Sequence, residues 1–464
     1  MRRLGPIFRA KRALARTAGN LSRRSGRGGG TTLPGRLLLR LAPDAVARLG
    51  VGLTDGTTII SATNGKTTTA GMLAGALRGA GRDPVHNRAG SNMSWGVATA
   101  LLEQEGTEGL FEVDEAWLPK LTEALDPNLI VLSNLFRDQL DRYGELESLA
   151  DDWADLVTSR PGQGLVLNAD DPLIADLGRD EDLTRRQGVT FFGIEDHSHA
   201  LAALQHAHDA KHCRRCGSPY AYDRAFVGHL GHYRCPNCGA DRPEPEIAAT
   251  RIRLDGMRGS EVEIRTPRGP LSLKLPLPGL YNVYNALAAL AAGMRLGLDP
   301  EQAIDGLEHA EAAFGRVETI SVGATPVSIF LIKNPAGANE VLRTLALEAE
   351  RDRESNGVDV WAALNDGIAD GRDVSWVWDA DFELLAGAAR QVTCAGTRAP
   401  ELALRLKYAG IDPKLIHVEP DIDASLDRAV AGAADRLFAL PTYTALLELR
   451  TLLASRGLVK AYWE

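Results

Sequence analysis

Short apolar runs and stretches of helical character alternate along most of the chain. In the first half, apolar runs predict strands at residues 109–113, 129–134 and 164–168. An Ala-rich segment at 282–296 predicts a buried helix. Apolar strands separated by helices are typical of a parallel sheet with helices on both faces. The pattern therefore predicts an α/β fold.

A second alternation of the same kind fills the last third of the chain. It runs from Val327 to Leu440, with predicted strands near 358–364, 391–394 and 437–440. We interpret it as a separate C-terminal α/β domain of the Rossmann type. The chain then divides into three parts: a basic helix and Gly-rich linker at 1–45, a central domain at 46–315 and the C-terminal domain at 316–464.

The first forty residues differ in charge from the rest of the chain. They hold eleven Arg or Lys residues and no acid, although the 464 residues together carry a net charge of −9. Residues 7–16 predict a basic amphipathic helix, either a solvated or domain-packing arm or a contact with anionic lipid. Residues 23–35 are rich in Gly and predict a linker.

Composition excludes two classes of protein. The net negative charge argues against general nucleic-acid binding. No run of about eighteen apolar residues occurs, so no transmembrane segment is predicted. We expect a cytoplasmic protein, peripheral at the inner face of the plasma membrane if the basic segment binds lipid.

Residues 59–69, I-I-S-A-T-N-G-K-T-T-T, describe a strand that leads into a phosphate-binding turn. Gly65 permits the turn, Lys66 supplies a cation, and Thr67 offers a hydroxyl to magnesium where a helix begins. The general P-loop pattern has another glycine where this chain has Ile60. The helix is expected at 71–80. This context predicts a site for a nucleotide and magnesium.

Carboxylates follow in F-E-V-D-E at 111–115, at the end of the next predicted strand. Strand alternation puts Glu112 and Asp114 on one face, with Glu115 beyond the strand. Magnesium bound to a triphosphate needs a hard oxygen ligand from a neighbouring strand end. A carboxylate here is a candidate ligand, and plain charge at a strand edge is the alternative.

The region at about 206–245 interrupts the α/β pattern and carries four of the five cysteines. They form two C-x-x-C pairs, which is the spacing of a zinc ribbon with a closed set of four thiolates: Cys213, Cys216, Cys235 and Cys238. Such a site is structural, and a set of reduced cysteines or a ribbon without metal is the alternative. Nearby His212, His229 and His232 are unnecessary as ligands. Cys394 stands alone and is interpreted as a small buried side chain.

The order of several motifs resembles the Mur ligase family. They are A-T-N-G-K-T-T-T, F-E-V-D-E, N-L-F-R-D-Q-L-D-R-Y-G-E, L-N-A-D-D-P, F-F-G, G-L-Y-N-V-Y-N-A-L-A-A and F-G-R-V-E. The four-cysteine insertion, K-N-P-A-G-A-N, N-D-G-I-A-D-G-R-D-V-S-W and L-P-T-Y-T-A-L narrow the resemblance. Nearly the whole chain is then similar to the MurT-type synthetase subunits of lipid II isoglutaminyl synthases.

This resemblance implies a set of roles for individual residues. Thr67 and Glu112 would position magnesium. The ATP site would be formed by Thr63, Asn64, Gly65, Lys66, Thr67 and Thr68 at the loop, with Asn282 and Arg316 at the domain junction and Lys333, Asn334 and Asn339 from the C-terminal domain.

The implied reaction is an ATP-dependent amidation in peptidoglycan synthesis. The α-carboxylate of D-isoglutamate in the lipid II stem peptide becomes an acyl phosphate, and ammonia displaces the phosphate to leave D-isoglutamine. Lys66 and magnesium would neutralise the charge that develops. The sequence does not decide whether the acceptor is lipid II or an earlier precursor.

The ammonia is expected from a GatD-type glutaminase partner. Releasing ammonia from glutamine needs a cysteine nucleophile with a histidine base, and no cysteine of this chain is placed for that role. The resemblance implies that Asp373 completes a Cys-His-Asp triad across the interface, with Asp370 as the second choice. Without the resemblance, residues 365–376 are a solvated acidic loop that caps the following helix.

Three departures from amino-acid-adding Mur ligases favour ammonia as the acceptor nucleophile. The chain has Asp138-Gln139-Leu140-Asp141 in place of D-H-x-D and Ala62 in place of Gly. Where those ligases place an acidic residue in D-Y-A-H-N-P, it has Leu331-Ile332-Lys333-Asn334-Pro335. The alternatives are an independent Mur- or folate-type amino-acid ligase and a non-catalytic zinc scaffold. The intact Lys66, Thr67 and Glu112 argue against the scaffold.

Overall fold

The computed structural model describes residues 5–24, 32–87, 91–138, 146–179, 188–205, 208–309, 316–351 and 357–459. Two separate sheets, each flanked by helices, and one short two-stranded ribbon account for the strands of these residues. The predicted α/β class is confirmed.

The first sheet has nine strands in the order β11-β10-β9-β6-β5-β4-β1-β3-β2. From β2 to β9 the neighbouring strands run parallel, and β10 and β11 are antiparallel additions at one edge. The strands are β1 Gly56–Ser61, β2 Val85–His86, β3 Glu108–Glu112, β4 Leu129–Leu132, β5 Gly164–Asn168, β6 Val189–Ile194, β9 Ile247–Leu254, β10 Ser260–Thr266 and β11 Gly269–Leu275.

Both faces of this sheet are buried. Ile60 on β1 packs with the Ala-rich helix Leu280–Arg295, whereas Ile59 faces the opposite core with Trp153. Strands covered on both faces read as unbroken apolar runs, which is why the sequence predicted β3, β4 and β5 to within about two residues. The helices of the central region are Lys66–Gly79, Ser94–Glu103, Leu118–Leu125, Leu146–Ser159, Pro172–Ala175, Leu280–Arg295 and Pro300–Glu308.

The second sheet has six strands in the order β12-β13-β17-β14-β15-β16, parallel from β13 to β16. Its strands are β12 Arg316–Val322, β13 Thr325–Phe330, β14 Val358–Ala363, β15 Ala389–Ala395, β16 Ile416–Val418 and β17 Leu437–Pro441. The helices around it are Pro335–Arg351, Ala399–Tyr408, Ile422–Gly432 and Tyr443–Ser455. Cys394 on β15 is fully buried, and burial raises the pKa of its thiol to about 12.

The ribbon consists of antiparallel strands β7 Ala221–Val227 and β8 Leu230–Arg234. It lies between β6 and β9 in the chain, yet β6 and β9 pair directly with each other in the first sheet. The ribbon is therefore an insertion at a point where the sheet is already continuous.

At the N-terminus, helices span Pro6–Arg24, Leu33–Leu41 and Ala45–Gly50. The predicted basic helix is thus longer than residues 7–16, and the linker prediction is wrong at residues 23–24 and 33–35, which are helical. Residues 25–31 of the predicted linker lie outside the described residues. Gly35 lies inside a helix because its backbone packs against the neighbouring helix, where an added Cβ would lie 1.8 Å from the Trp95 carbonyl oxygen. Within the described residues, no helix has the length and apolar character needed to span a bilayer.

Candidate active site

The turn between β1 and helix Lys66–Gly79 is the centre of the site. Gly65 has φ +88°, a conformation that favours glycine, and an added Cβ would lie 2.0 Å from Asn285 Oδ1. The helix begins at Lys66, five residues earlier than predicted, so its first backbone N–H groups face the turn. This is the geometry that binds phosphate at a helix N-terminus.

A neighbouring strand end supports the turn. Asn134, just beyond β4, accepts a hydrogen bond from Asn64 N at 2.9 Å and donates one to Asn64 O at 3.0 Å. Thr63 is buried, and its hydroxyl accepts from Phe136 N at 3.0 Å. Asn64 is therefore held by its backbone, which leaves its side chain for a contact with the C-terminal domain.

Lys66 forms a buried ion pair with Glu115. Its Nζ lies 2.6 Å from Glu115 Oε2 and donates at 2.6 Å to Ala62 O. Burial opposes the charge of both groups, but their mutual attraction prevails: the pKa of Lys66 is raised and the pKa of Glu115 is lowered. In this state Lys66 is charged and turned towards Glu115.

Thr67 and Glu112 meet at the end of β3. The Thr67 hydroxyl donates to Glu112 Oε2 at 2.6 Å, and Glu112 is fully buried. A hydroxyl and a carboxylate beside a phosphate-binding turn are hard oxygen donors of the kind that magnesium prefers. The pair fits the predicted magnesium site, where the ion would shield the charge of a bound triphosphate.

A cleft of about 910 Å³, counted with its solvent-open part, extends from the turn to the C-terminal domain. This size suits a cofactor or nucleotide. Among the predicted residues, the cleft is lined by Asn64, Gly65, Thr68, Asn282 and Lys333. Asn282 is held by bonds to Pro278 O and Asn285, at 2.8 and 3.0 Å.

The C-terminal domain contacts the turn directly. The side-chain amides of Asn64 and Asn334 exchange two hydrogen bonds, at 3.3 and 3.1 Å. Lys333 forms an ion pair with Asp138 and donates to Thr63 O at 3.2 Å. These contacts join the two domains at the phosphate-binding turn.

One predicted nucleotide residue lies away from the cleft, and the side chain of another lies outside the described residues. Asn339 is buried but does not line the cleft; its side-chain oxygen accepts from Asp381 N at 2.7 Å. Arg316 begins β12, and its side chain lies outside the described residues, as do residues 139–141.

The far wall of the cleft includes the tip of the β7–β8 ribbon. Val227 and Leu230, on either side of the ribbon turn, are buried and line the cleft. Arg343 of helix Pro335–Arg351 donates to Phe226 O at 2.7 Å and pairs with Glu340 at 2.8 Å. Glu340 also lines the cleft, so the ribbon tip and the C-terminal domain meet at its wall.

The four cysteines lie near the other end of the ribbon. Their sulfur atoms are all within 4.8 Å of one another, with Cys213–Cys238 at 3.6 Å and Cys216–Cys235 at 3.4 Å. These distances approach the edge of about 3.8 Å expected for a tetrahedron with Zn–S bonds of about 2.3 Å. None of the three neighbouring histidines belongs to this group. The donor set fits zinc in a closed site.

The acidic loop at 365–376 lies beside a second cavity of about 580 Å³. Lys333 and Asp138 line this cavity from one side, and Asp370 and Asp373 from the other. Since Lys333 also lines the cleft, it connects the cleft with the acidic loop.

The two aspartates of this loop have different surroundings. Asp373 is exposed, and its Oδ1 accepts from Ser375 N at 2.8 Å, a bond that lowers its pKa. Asp370 is buried, which raises its pKa, and it accepts from the backbone and hydroxyl of Thr444. Asp370 pins the loop to helix Tyr443–Ser455, whereas Asp373 is accessible from outside.

Comparison with known proteins agrees with this arrangement of domains. Residues 60–293 match the Mur ligase middle domain, and residues 331–446 match the MurT ligase C-terminal domain. The chain is 31% identical to the lipid II isoglutaminyl synthase (glutamine-hydrolyzing) subunit MurT of Streptococcus pneumoniae, over 93% of this chain and 94% of that protein. The chain belongs to the MurT family. The resemblance inferred from the motifs is confirmed, and so is the enzyme class at the level of the family.

Solved structures with the same fold are more distant in sequence from this MurT-family chain. A pseudomurein peptide ligase type C from Methanothermus fervidus has a TM-score of 0.69 at 21% identity, covering 88% of this chain and 80% of that chain. A MurF ligase from Thermotoga maritima in complex with ADP has a TM-score of 0.60 at 14% identity, covering 91% and 85%. These likenesses show the Mur ligase fold, as predicted.

Several residues of the site were not predicted as such. Glu115 was placed only beyond its strand, and the lining residues Val227, Leu230 and Glu340 had no signal in the sequence. The sequence shows Glu115 three residues after Glu112, but its distance from Lys66 depends on how the ends of β1 and β3 lie beside each other in the sheet. The ribbon tip reaches the cleft through tertiary packing that no local pattern records.

Proposed function

We propose that this protein is the synthetase subunit of a lipid II isoglutaminyl synthase. It would amidate the α-carboxylate of D-isoglutamate in the lipid II stem peptide, using ATP and ammonia from a GatD-type glutaminase, as a step of peptidoglycan synthesis. The main support for the proposal is the position of Lys333, which lines both the nucleotide cleft and the cavity at the acidic loop. An acyl phosphate formed in the cleft would lie close to a source of ammonia at the loop.

In the nucleotide cleft, the residues of the turn would hold the triphosphate. Helix N–H groups and Lys66 would bind its oxygens, after Lys66 turns from Glu115. Thr67 and Glu112 would hold magnesium, which supplies charge neutralisation during phosphoryl transfer. The carboxylate would attack the γ-phosphorus, ADP would leave, and ammonia would then displace phosphate from the acyl phosphate.

The exposed surface around the acidic loop supports a glutaminase partner. Ile368, Trp378 and Tyr408 are large apolar side chains that remain exposed there, and the rings of Trp378 and Tyr408 lie 5.9 Å apart. Exposed aromatic groups of this kind are common in protein interfaces. Asp373, in the same loop, would orient the histidine of the partner's Cys-His-Asp triad.

The deciding experiment measures amide formation on lipid II with ATP and glutamine, with and without the glutaminase. Product should require ATP and both subunits. Lys66→Ala should lower the rate about 100-fold or more, because the transferred phosphoryl group loses a fixed cation. Thr67→Ala and Glu112→Ala should raise the magnesium concentration needed for half-maximal rate.

A matched control is Lys274→Ala, which removes an exposed lysine at the sheet edge and should change nothing. Full activity in all three site variants would disprove the assignment of the cleft. Incorporation of an amino acid in place of ammonia would point to an independent ligase.

A further inference from the structure

The N-terminal helix Pro6–Arg24 is fixed to the central domain along one face. Phe8 and Ala15 are buried against helix Leu33–Leu41 and Leu102. Lys11 donates to Leu41 O at 2.6 Å and Arg16 to Leu102 O at 2.7 Å. Each bond gives a partner to a backbone carbonyl at the C-terminal end of a helix. The orientation of the whole helix is therefore set by the fold.

A different face of this helix presents a row of large apolar side chains to solvent. Ile7, Leu14 and Leu21 are 74%, 55% and 62% exposed. Their spacing of seven residues is close to two helical turns, so they lie in one stripe along the helix. We call these three residues the outer stripe. Packing against the central domain buries one apolar face of this helix and leaves the outer stripe exposed, which is typical of an interaction surface.

The charge of the residues before Asp44 indicates which kind of surface binds the outer stripe. The first acid of the chain is Asp44, and eleven basic residues precede it, while acids outnumber bases 61 to 52 in the chain as a whole. A second copy of the helix would bring two strongly cationic segments together. An anionic bilayer offers both the negative charge and the apolar depth that the segment lacks.

We propose that helix Pro6–Arg24 lies in the plane of an anionic bilayer, with the outer stripe inserted below the headgroups. The role of this contact rests on the proposed function, because a lipid-linked substrate lies at a membrane surface. The helix is too polar to cross the bilayer, and apolar burial together with basic charge gives reversible interfacial binding rather than transmembrane insertion.

Flotation of the full chain with vesicles tests this proposal. Wild type should float with vesicles of phosphatidylcholine mixed with phosphatidylglycerol, and much less with phosphatidylcholine alone. The variant Ile7→Gln/Leu14→Gln/Leu21→Gln should bind the mixed vesicles about tenfold less or weaker still. Its circular dichroism and melting temperature should match wild type, because the three side chains are exposed.

The control is Val51→Gln, which removes an equally exposed apolar side chain from another surface and should float like wild type. Equal flotation of the triple variant and wild type would overturn the proposal. So would a wild-type dimer in light scattering that the triple variant loses, since the stripe would then bind a second copy.

The assay contains neither nucleotide nor peptide substrate, so it is independent of the proposed reaction. Failure of the wild type to float, with normal amidation of detergent-dissolved lipid II, would disprove the bilayer contact alone. Normal flotation without amidation would disprove the reaction alone.

Discussion

At the scale of single residues, the pairing of Lys66 with Glu115 decides the state of the site before substrate arrives. The lysine that would bind phosphate already has a buried counter-ion, 2.6 Å away. The same carboxylate that keeps Lys66 charged therefore competes with the triphosphate for it. Nucleotide binding must exchange one negative partner for another.

Glu115→Ala should destabilise the protein by roughly 3–5 kcal/mol, because it leaves Lys66 buried without its counter-ion. The raised pKa of Lys66 stabilises the fold at pH values below the lysine's unfolded pKa, and the lowered pKa of Glu115 does so above the carboxyl's unfolded pKa. The loss of stability should therefore be largest between these two values. Urea unfolding at several pH values measures it.

The double variant Lys66→Met/Glu115→Leu separates stability from chemistry. It should recover most of the stability, because neither charge is left alone, yet form no amide. If Glu115→Ala unfolds at the wild-type urea concentration near pH 7, the ion pair does not contribute as described.

At the scale of elements, the β7–β8 ribbon connects the four-cysteine cluster with the cleft beside the phosphate-binding turn. The cysteine cluster lies near one end of the ribbon and Val227 and Leu230 near the other, a separation of roughly 20 Å for strands of this length. His229 in the turn is fully buried, with its ring 4.5 Å from that of Phe136 and its Nε2 3.2 Å from Asp171. The tip is thus held firmly in the central domain.

Cys216→Ser should remove zinc and weaken nucleotide binding together, because structural zinc can contribute on the order of 10 kcal/mol to its local fold. Metal analysis of wild type should give about one zinc per chain. Leu230→Ala should weaken binding of a fluorescent ATP analogue with its zinc content unchanged. An unchanged affinity in both variants would show that the ribbon tip does not contact the nucleotide.

The elements also show how far sequence reasoning reaches. Strands such as β5 were predicted to the residue because burial on both faces leaves an unbroken apolar run. Helix Leu33–Leu41 was missed because Gly35 reads as a linker residue, although close packing against Trp95 is what requires it. The cysteine pairs and the phosphate-binding turn are local patterns, whereas Glu115, Val227 and Leu230 join the site only through tertiary contacts.

At the scale of the whole molecule, one line of polar residues joins the two domains and leads to the surface proposed to bind the glutaminase. It runs from the turn through Lys333 to the acidic loop. Asp373→Asn should leave the complex and its zinc intact but sharply reduce glutamine-dependent amidation, because the partner's histidine would lose its orienting charge. Added ammonia should restore part of the product.

Asp370→Asn is the matched control for this prediction. Because Asp370 accepts two hydrogen bonds from Thr444, its replacement should lower the melting temperature. It should also reduce amidation with glutamine and amidation with free ammonia to the same degree. If Asp373→Asn keeps normal glutamine use, or loses ammonia-dependent activity to the same degree, the triad role is wrong.

Because β6 and β9 pair directly, a short loop could replace residues 195–246 without interrupting the sheet. Such a shortened chain would lose Val227, Leu230 and the anchor of Arg343, and its cleft would stand open on one side. Removal of this insertion would therefore preserve the strand order of the sheet but take away buried core residues and one wall of the cleft together.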